Sequence, residues 1–248
     1  MLLQDKVAVI YGAGGAIGGA VADAFAAEGA RVFRTGRAAA QEVAAVDALD
    51  EQAVERHLQS VIDEAGRVDI SFNAIGVPDP GIVGVPLLDL DAERFSRPVA
   101  AYTTSYFLTA RLAARHMIPH GSGVIMTVTA LPARAGSRLN GGYGTASAGK
   151  EALTRDLSAE LAPHGIRVVG LRPHGLPETG TMREVYDAKA DALGVTWEQF
   201  QAYLAGTTHP RRVMTLDEVA GVAAFMASDR ASGMTGTTVN LSMGALDD

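Results

Sequence analysis

The sequence predicts an α/β fold in which a doubly wound parallel sheet of about seven strands forms a single domain. Three observations support this prediction. Short β-branched apolar runs alternate with longer helical patterns, as is typical of βαβ units around a parallel sheet. A length of 248 residues suits one large α/β domain. Neither an internal repeat nor a Pro/Ser-rich linker divides the chain, so we expect no domain boundary.

The strands are predicted at the apolar runs Val7–Tyr11, Arg31–Thr35, Val43–Asp47, Ile70–Ala74, Val124–Thr129, Arg167–Leu171 and Thr238–Leu241. Helical patterns predict helices at Ile17–Glu28, Glu51–Ala65, Val99–Met117, Tyr143–Leu161 and Asp217–Ala227. The link from Arg37 to Val43 is too short for a full helix, so we expect one trimmed crossover. Leu176–Pro210 has weak periodicity and is a candidate lid over a substrate site.

Composition excludes several classes of protein. A hydrophobic content of 48% and a mean hydropathy of +0.13 argue against a disordered chain. A formal net charge of −7 disfavours binding to nucleic acid or to an anionic membrane surface. No apolar run approaches the ~18 residues of a membrane span, and the first residues lack the pattern of a signal peptide. The absence of cysteine excludes disulfides and thiolate chemistry, so the cytoplasm is the expected compartment.

Two polar patterns are weighed as metal sites and set aside. His116 and His120 are four residues apart, but Pro119 interrupts the helix between them and the glutamate of a zinc-binding helix is missing. The acidic stretch from Asp89 to Glu93 precedes a helical pattern, where acids complement the helix N-terminus. We therefore predict no metal site.

A glycine-rich turn directly follows the first predicted strand and leads into a helix. Such a turn lets the backbone approach a diphosphate, whose charge the helix N-terminus stabilises. Its position at the first βα junction of a Rossmann-like chain favours a cofactor site over an ordinary strand–helix turn. The candidate cofactor-binding residues of this turn are Gly12, Gly14, Gly15, Ala16, Ile17 and Gly18.

Four further stretches recur in one family. They are Val46-Asp47-Ala48, Phe72-Asn73-Ala74-Ile75-Gly76, the run from Glu160 to Val168, and Ala227-Ser228-Asp229 with Met234-Thr235-Gly236. With the glycine turn, they make the chain similar to short-chain dehydrogenases/reductases over nearly its whole length. The family's T-G-x-x-x-G-x-G motif has Tyr11 in place of its Thr and Ala16 in place of its middle Gly.

The resemblance implies a nicotinamide dinucleotide cofactor. It assigns Asp47 and Ala48 to the adenine, Asn73 and Ala74 to a stretch similar to the family's N-N-A-G motif, and Thr179 to the nicotinamide amide. An acid that binds the ribose 2′-hydroxyl of NAD is expected where the second strand ends, but Gly36 stands there and Arg37 follows. A guanidinium suits a 2′-phosphate, so we favour NADP(H) over NAD(H). The alternative interpretation is that Arg37 is a solvated loop residue.

The resemblance also implies a catalytic set of Asn, Ser, Tyr and Lys, the last two spaced Y-x-x-x-K. Tyr143 stands at the Tyr position, with Ser147 where the Lys is expected. Tyr102 aligns with the Asn, and the Ser position falls on Ala130 with the hydroxyl of Thr129 one residue earlier. Since a one-residue slip turns a strand side chain to the opposite face, Thr129 is an uncertain substitute.

Three other groups are candidates for recruitment to the site. Lys150 lies seven residues after Tyr143 at nearly the same helical azimuth and could reach back one turn; the alternative is an exposed or intersubunit lysine. His174 follows the sixth strand, where a histidine could handle protons or be a structural loop residue. Arg134 and Arg138 could meet an anionic substrate or remain solvated. The candidate catalytic residues are Tyr143, Ser147, Thr129 and His174.

These residues predict an NADP(H)-dependent oxidoreductase acting on a small carbonyl or alcohol. An unassisted tyrosine, with a pKa of about 10, still holds its proton at neutral pH, which favours reduction over oxidation. Two alternatives remain: a non-redox enzyme such as an isomerase, cyclase or dehydratase, and an inactive cofactor-binding protein. The resemblance further implies a homodimer or homotetramer that pairs through Val99–Met117 and Tyr143–Leu161.

Overall fold

A single parallel sheet organises the computed structural model, which describes residues 1–40, 42–76 and 81–247, with the backbone alone at residues 181 and 182. Its strands are β1 (Val7–Tyr11), β2 (Arg31–Gly36), β3 (Val43–Ala45), β4 (Ile70–Asn73), β5 (Gly123–Val128), β6 (Ile166–Pro173) and β7 (Thr237–Leu241). Their order is β3-β2-β1-β4-β5-β6-β7, and every neighbouring pair is parallel. The predicted fold class is confirmed. The order reverses between β1 and β4, where ligands bind in doubly wound sheets.

Helices cover both faces of this sheet. They are α1 (Ala16–Ala27), α2 (Glu51–Ala65), α3 (Ala92–Met117), α4 (Tyr143–Leu161), α5 (Gly180–Leu193), α6 (Trp197–Thr207) and α7 (Leu216–Ala227). Between β2 and β3 the described residues form no helix, in agreement with the predicted trimmed crossover. Within the described residues, no helix is long and apolar enough to cross a membrane.

The two faces of the sheet carry separate cores because successive strand residues point to opposite sides. In β1, Ala8 and Ile10 pack with α1 and α7, while Val9 and Tyr11 pack with α2 and α3. All five residues of β1 are buried, as expected for a central parallel strand covered on both faces.

Helix α3 begins at Ala92, seven residues before the predicted start at Val99. Asp91 caps it by accepting a hydrogen bond from the Arg94 amide at 2.8 Å, which confirms that this acidic stretch complements a helix N-terminus. The same bond and the Arg94 side chain lower the pKa of the Asp91 carboxyl. Pro98 lies inside the helix, one residue before the predicted start. Proline removes one amide donor without necessarily ending a helix.

The predicted lid contains two helices that the sequence analysis did not identify. Helix α6 begins with a capping box in which Thr196 and Gln199 bind each other's backbone amides. An aromatic cluster of Tyr186, Trp197 and Phe200 joins α5 to α6. The Thr-x-x-Gln pattern in the sequence was the signal that could have predicted the start of α6. A second capping box, formed by Thr215 and Glu218, places the N-cap of α7 two residues before Asp217.

Helix α4 is attached to the sheet by a buried ion pair. Arg172, in β6, donates from Nε to Glu151 Oε1 at 2.7 Å and from Nη2 to Glu151 Oε2 at 3.2 Å. Both side chains are almost fully buried, at 2% and 3% exposure. Because a bidentate pair demands a defined geometry, this contact fixes the position of α4 relative to β6.

Removing one member of this pair should leave an uncompensated buried charge. We predict that Arg172→Met lowers the free energy of unfolding by about 3–5 kcal/mol, measured by urea denaturation. The double variant Arg172→Met/Glu151→Leu should recover much of that loss. Lys6→Met, which breaks the exposed pair with Asp229, should cost no more than about 1 kcal/mol. A double variant no more stable than the single one would assign the loss to packing instead.

Candidate functional site at the carboxyl edge of the sheet

The glycine turn joins β1 to α1 through unusually close backbone contacts. A Cβ at Gly12 would lie 2.6 Å from the Ala74 carbonyl oxygen, and one at Gly18 would lie 2.3 Å from the Gly12 carbonyl oxygen. Gly12 also has a φ of +82°, which glycine tolerates best. These contacts bring the start of α1 against the residues that follow β4.

The outer side of the same turn is open. A Cβ at Gly14 would meet nothing within 4 Å, and Gly15, the N-cap of α1, provides no side-chain cap. The first helical residues, Ala16 and Ile17, therefore present their amides at an uncapped helix N-terminus, which attracts anionic groups. A dinucleotide diphosphate fits this opening in space and in charge.

The end of β2 borders the turn. A Cβ at Gly36 would lie 3.9 Å from the Gly14 nitrogen, and the Arg37 side chain that follows is exposed. Strand β3 is two residues shorter than predicted, because Asp47 lies in the turn before α2 and its Oδ1 accepts a bond from the Leu49 amide at 2.9 Å. Asp47 is exposed and Ala48 is buried.

Asn73, at the end of β4, connects three elements. Its Nδ2 donates to Thr109 Oγ1 of α3 at 3.1 Å, and its Oδ1 accepts from Lys150 Nζ of α4 at 3.4 Å. Its backbone oxygen accepts from Thr127 of β5 at 3.2 Å. Asn73 thus orders the interior wall of the site, beside the predicted cofactor residue Ala74.

Tyr143 is the first residue of α4, where it meets Tyr102 of α3. Their ring centroids are 5.5 Å apart in an edge-to-face arrangement. Gly142 makes this approach possible, since a Cβ there would lie 2.3 Å from the Phe95 carbonyl oxygen. Both phenols are half-buried, so the site holds two tyrosines at the point where α3 and α4 converge.

Lys150 lies behind these tyrosines and is 1% exposed. Its Nζ donates to the Val128 carbonyl at 2.9 Å and lies 5.7 Å from the Tyr102 ring centre and 5.6 Å from that of Tyr106. Burial lowers the pKa of this lysine to about 7. The interpretation of Lys150 as an exposed or intersubunit residue is therefore wrong; helix geometry and the packing of α3 turn it into the interior.

Two of the other catalytic candidates, Ser147 and Thr129, occupy different environments. Ser147 is half-buried on α4, between Tyr143 and Lys150 in sequence. The hydroxyl of Thr129 is buried and lies 3.1 Å from Glu151 Oε1 and 3.2 Å from the Leu171 carbonyl, so its bonds belong to the α4–β6 attachment. Catalytic roles for these two residues stay predictions.

His174 follows β6 and contacts the lid. Its Nε2 lies 3.2 Å from Thr207 Oγ1 at the end of α6, while its buried Nδ1 has no hydrogen-bond partner among the described residues. Burial lowers the pKa of His174, which keeps the imidazole neutral at pH 7. Thr179, the predicted contact of the nicotinamide amide, is 4% exposed beside α5.

The lid is held against the loop that leads into Tyr143. Lys189 of α5 donates to Asn140 Oδ1 at 2.8 Å and to Ser137 Oγ at 3.3 Å. Burial lowers the pKa of Lys189 to about 8. The arginines of that loop, Arg134 and Arg138, are exposed. The segment Leu176–Pro210 is thus bonded to the loop that precedes Tyr143, and its role as a lid stays a prediction.

Comparison with known proteins agrees with this geometry. A family model described as enoyl-(acyl carrier protein) reductase matches residues 12–245. Sorbitol-6-phosphate 2-dehydrogenase of Escherichia coli is 30% identical over 259 residues, covering 97% of this chain and 98% of that protein.

Two solved structures are similar over most of both chains. The sorbitol-6-phosphate 2-dehydrogenase of Erwinia amylovora is 27% identical with a TM-score of 0.88, covering 97% of this chain and 100% of the other. An NAD⁺-bound xylitol dehydrogenase is 25% identical with a TM-score of 0.87, covering 96% and 98%.

The fold and the glycine turn are those of the dinucleotide-binding class of α/β proteins. More specifically, the chain belongs to the short-chain dehydrogenase/reductase family. The Lys150 environment, the Glu151–Arg172 pair and the Lys189–Asn140 contact are features of the site that sequence reasoning missed. The helical azimuth of Lys150, close to that of Tyr143, was the sequence signal for its position. The Glu151–Arg172 pair and the Lys189–Asn140 contact join residues 21 and 49 positions apart, so no local sequence pattern indicates them.

The two ends of the glycine turn should respond differently to an added methyl group. Gly18→Ala forces a backbone clash and should lower the free energy of unfolding by about 1–3 kcal/mol. Gly14→Ala adds a methyl group in open space, so it should leave stability within about 1 kcal/mol of wild type. Saturating NADPH should raise the thermal midpoint of wild type and fail to raise that of Gly14→Ala. Equal stabilisation of both proteins would show that the diphosphate binds elsewhere.

Proposed function

We propose that the chain is an NADP(H)-dependent reductase of a small carbonyl compound that uses Tyr143 as its proton donor. The observation that carries this proposal is the chain of contacts at one sheet edge. Gly12 packs on Ala74, Asn73 bonds Lys150, and Lys150 lies behind the Tyr102–Tyr143 pair. A dinucleotide on the glycine turn would extend along this edge toward Tyr143.

The preference for NADP(H) rests on the end of β2. Gly36 has no carboxylate to bind a ribose 2′-hydroxyl, and Arg37 is exposed without an ion pair among the described residues. A 2′-phosphate would meet a guanidinium at this position instead of a carboxylate. At the adenine, Asp47 has Oδ2 available, since Leu49 occupies Oδ1. Thr179 is proposed to bind the nicotinamide amide.

The proposed reaction divides between cofactor and protein. When bound, a reduced nicotinamide would supply the hydride that the carbonyl carbon accepts. As the carbonyl π pair moves to oxygen, Tyr143 gives its phenolic proton to that oxygen, which yields the alcohol and a tyrosine phenolate. Water returns a proton to Tyr143 afterwards. An unperturbed tyrosine phenol, with a pKa of about 10, holds its proton at neutral pH, which supports the reducing direction.

Ser147 is the feature that favours a second function. A serine four residues after Tyr143 supplies no positive charge, so we propose that the catalytic set differs from the family pattern. Loss of hydride transfer with retained cofactor binding would leave a non-redox enzyme or an inactive binding protein.

We also propose that the chain forms a homodimer or homotetramer through α3 and α4, where Phe107 is 40% exposed.

Binding of the two nucleotides tests the cofactor. Wild type should bind NADPH more tightly than NADH, and Arg37→Ala should weaken NADPH binding by roughly 10- to 100-fold while leaving NADH unchanged, since one charged hydrogen-bonding group is lost. Calorimetric or fluorescence titration measures both affinities. Arg34→Ala is the matched control, because Arg34 lies in β2, which ends just before Arg37, but pairs with Asp23 at 2.7 Å. Tighter binding of NADH by wild type would contradict the assignment.

Removing the proposed acid tests the chemistry. Tyr143→Phe should lower kcat/KM for NADPH-dependent carbonyl reduction by about 10²–10⁴-fold, with nucleotide affinity preserved. The loss of absorbance at 340 nm across a panel of carbonyl compounds provides the measurement. Tyr203→Phe, which alters a 66% exposed phenol on α6, serves as control. Undiminished reduction by Tyr143→Phe would exclude Tyr143 as the donor, and absence of turnover by wild type would favour the second function.

A further inference from the structure

Lys150 is a buried cation surrounded by neutral groups. Its ammonium donates to the Val128 carbonyl of β5 and to Asn73 Oδ1 of β4, and it forms no ion pair within the described residues. The proposed reaction assigns no role to Lys150. Burial of an unpaired lysine costs stability, so its retention inside the domain calls for a reason.

The surroundings of Lys150 are nevertheless arranged for a positive charge. Two carbonyl-type oxygens accept its N–H bonds, and two tyrosine rings of α3 lie within 6 Å of Nζ, which is the range of cation–π attraction. These partners favour the ammonium form, while burial opposes it and lowers the pKa to about 7. The charge is therefore present below that pH and lost as the pH rises through it.

This charge lies close to Tyr143. The centre of the Tyr102 ring is 5.7 Å from Nζ and 5.5 Å from the centre of the Tyr143 ring, so Nζ is at most about 11 Å from the centre of the Tyr143 ring. The seven-residue spacing on α4 agrees, since it rises ~10.5 Å at nearly constant azimuth. At an effective dielectric constant of ~20, a unit charge ~11 Å away changes the ionisation free energy of a group by the equivalent of about one pKa unit.

We propose that Lys150 is a positioning residue for Tyr143: its ammonium, held by Asn73 and Val128 behind Tyr102, stabilises the negative charge that develops when Tyr143 gives up its proton. The inference rests on the proposed reductase function and deepens it. A lysine seven residues after Tyr143 supplies the positive charge that Ser147 does not.

The groups facing Lys150 limit other sources of pH dependence. Helix α3 presents Tyr102 and Tyr106, and burial raises the pKa of Tyr106. Strands β4 and β5 present the neutral Asn73 and the Val128 carbonyl, and on α4 the neighbouring Glu151 is bonded to Arg172 of β6. A titration near neutrality in this cluster is therefore that of Lys150.

The first test needs no turnover. The chain has only three lysines, Lys6, Lys150 and Lys189, so NMR of lysine labelled with ¹³C at Cε gives three signals that single Lys→Arg variants assign. Lys150 should titrate near pH 7. With tyrosine labelled at Cζ, the Tyr143 signal of wild type should shift at that same pH and show no such shift in Lys150→Met. The exposed Lys6→Met variant should retain the shift.

The second test uses kcat for carbonyl reduction with NADPH between pH 5 and 9. Wild type should show a step of about tenfold, high below the pKa of Lys150 and low above it. Lys150→Arg keeps its charge throughout, so its kcat should stay at the high wild-type value across this pH range. Lys150→Met has no charge, so its kcat should stay at the low wild-type value, and Ser147→Lys in the Lys150→Met background should raise kcat again. Lys6→Met should behave as wild type.

A purely structural lysine would give a different result. If kcat of Lys150→Met keeps the wild-type step, or if the Tyr143 signal of wild type is unmoved while Lys150 titrates, the proposal is overturned. If Lys150→Met does not fold, the proposal is still tested by comparing wild type with Lys150→Arg, in the pH dependence of kcat and in the NMR shift of Tyr143. If no carbonyl is reduced, the proposed function fails, while the NMR coupling still tests the electrostatic contact between Lys150 and Tyr143.

Discussion

The ion pair between Glu151 and Arg172 holds α4 in place, and the rest of the site depends on that helix. Helix α4 carries Tyr143 at its first turn and Lys150 immediately before Glu151, so any rotation of α4 against β6 would move all three together. Burying two charges is costly and is offset only when the hydrogen-bond geometry is good, as it is here. The pair therefore contributes orientation more than net stability.

Close backbone contacts at two glycines also position the site. Gly12 lies on the Ala74 carbonyl and Gly142 on the Phe95 carbonyl, so neither position has room for a side chain. The first contact sets the cofactor turn against the end of β4, and the second sets Tyr143 against Tyr102. Because both rest on main-chain atoms, side-chain rearrangement cannot relieve a substitution there.

Two buried lysines give the site its electrostatic character in an otherwise acidic protein. Lys150 lies behind the tyrosine pair and Lys189 lies on α5, and each is bonded to neutral oxygens. Burial lowers the pKa of both, to about 7 and about 8. Their charges consequently change within the physiological range, unlike the charge of an exposed lysine.

Local patterns were sufficient for much of the fold and the cofactor turn. Alternating apolar strands, the glycine turn and the position of Tyr143 depend on residues adjacent in sequence, and the parallel sheet is as predicted. Helix boundaries were less predictable where tertiary packing overrode a local signal, as at Pro98 within α3. The sequence did not predict helices α5 and α6, because their aromatic residues pack on one another and the segment has weak hydrophobic periodicity.

The sequence by itself determined the sheet, the family resemblance and the identity of the residue at each catalytic position. Only the tertiary structure decided what surrounds those residues. Lys150 meets Asn73 across 77 positions of sequence, and Tyr102 meets Tyr143 across a contact between two helices. Ionisation depends on such distant neighbours through burial and charge. The chemistry of a side chain is therefore set by packing that no local pattern encodes.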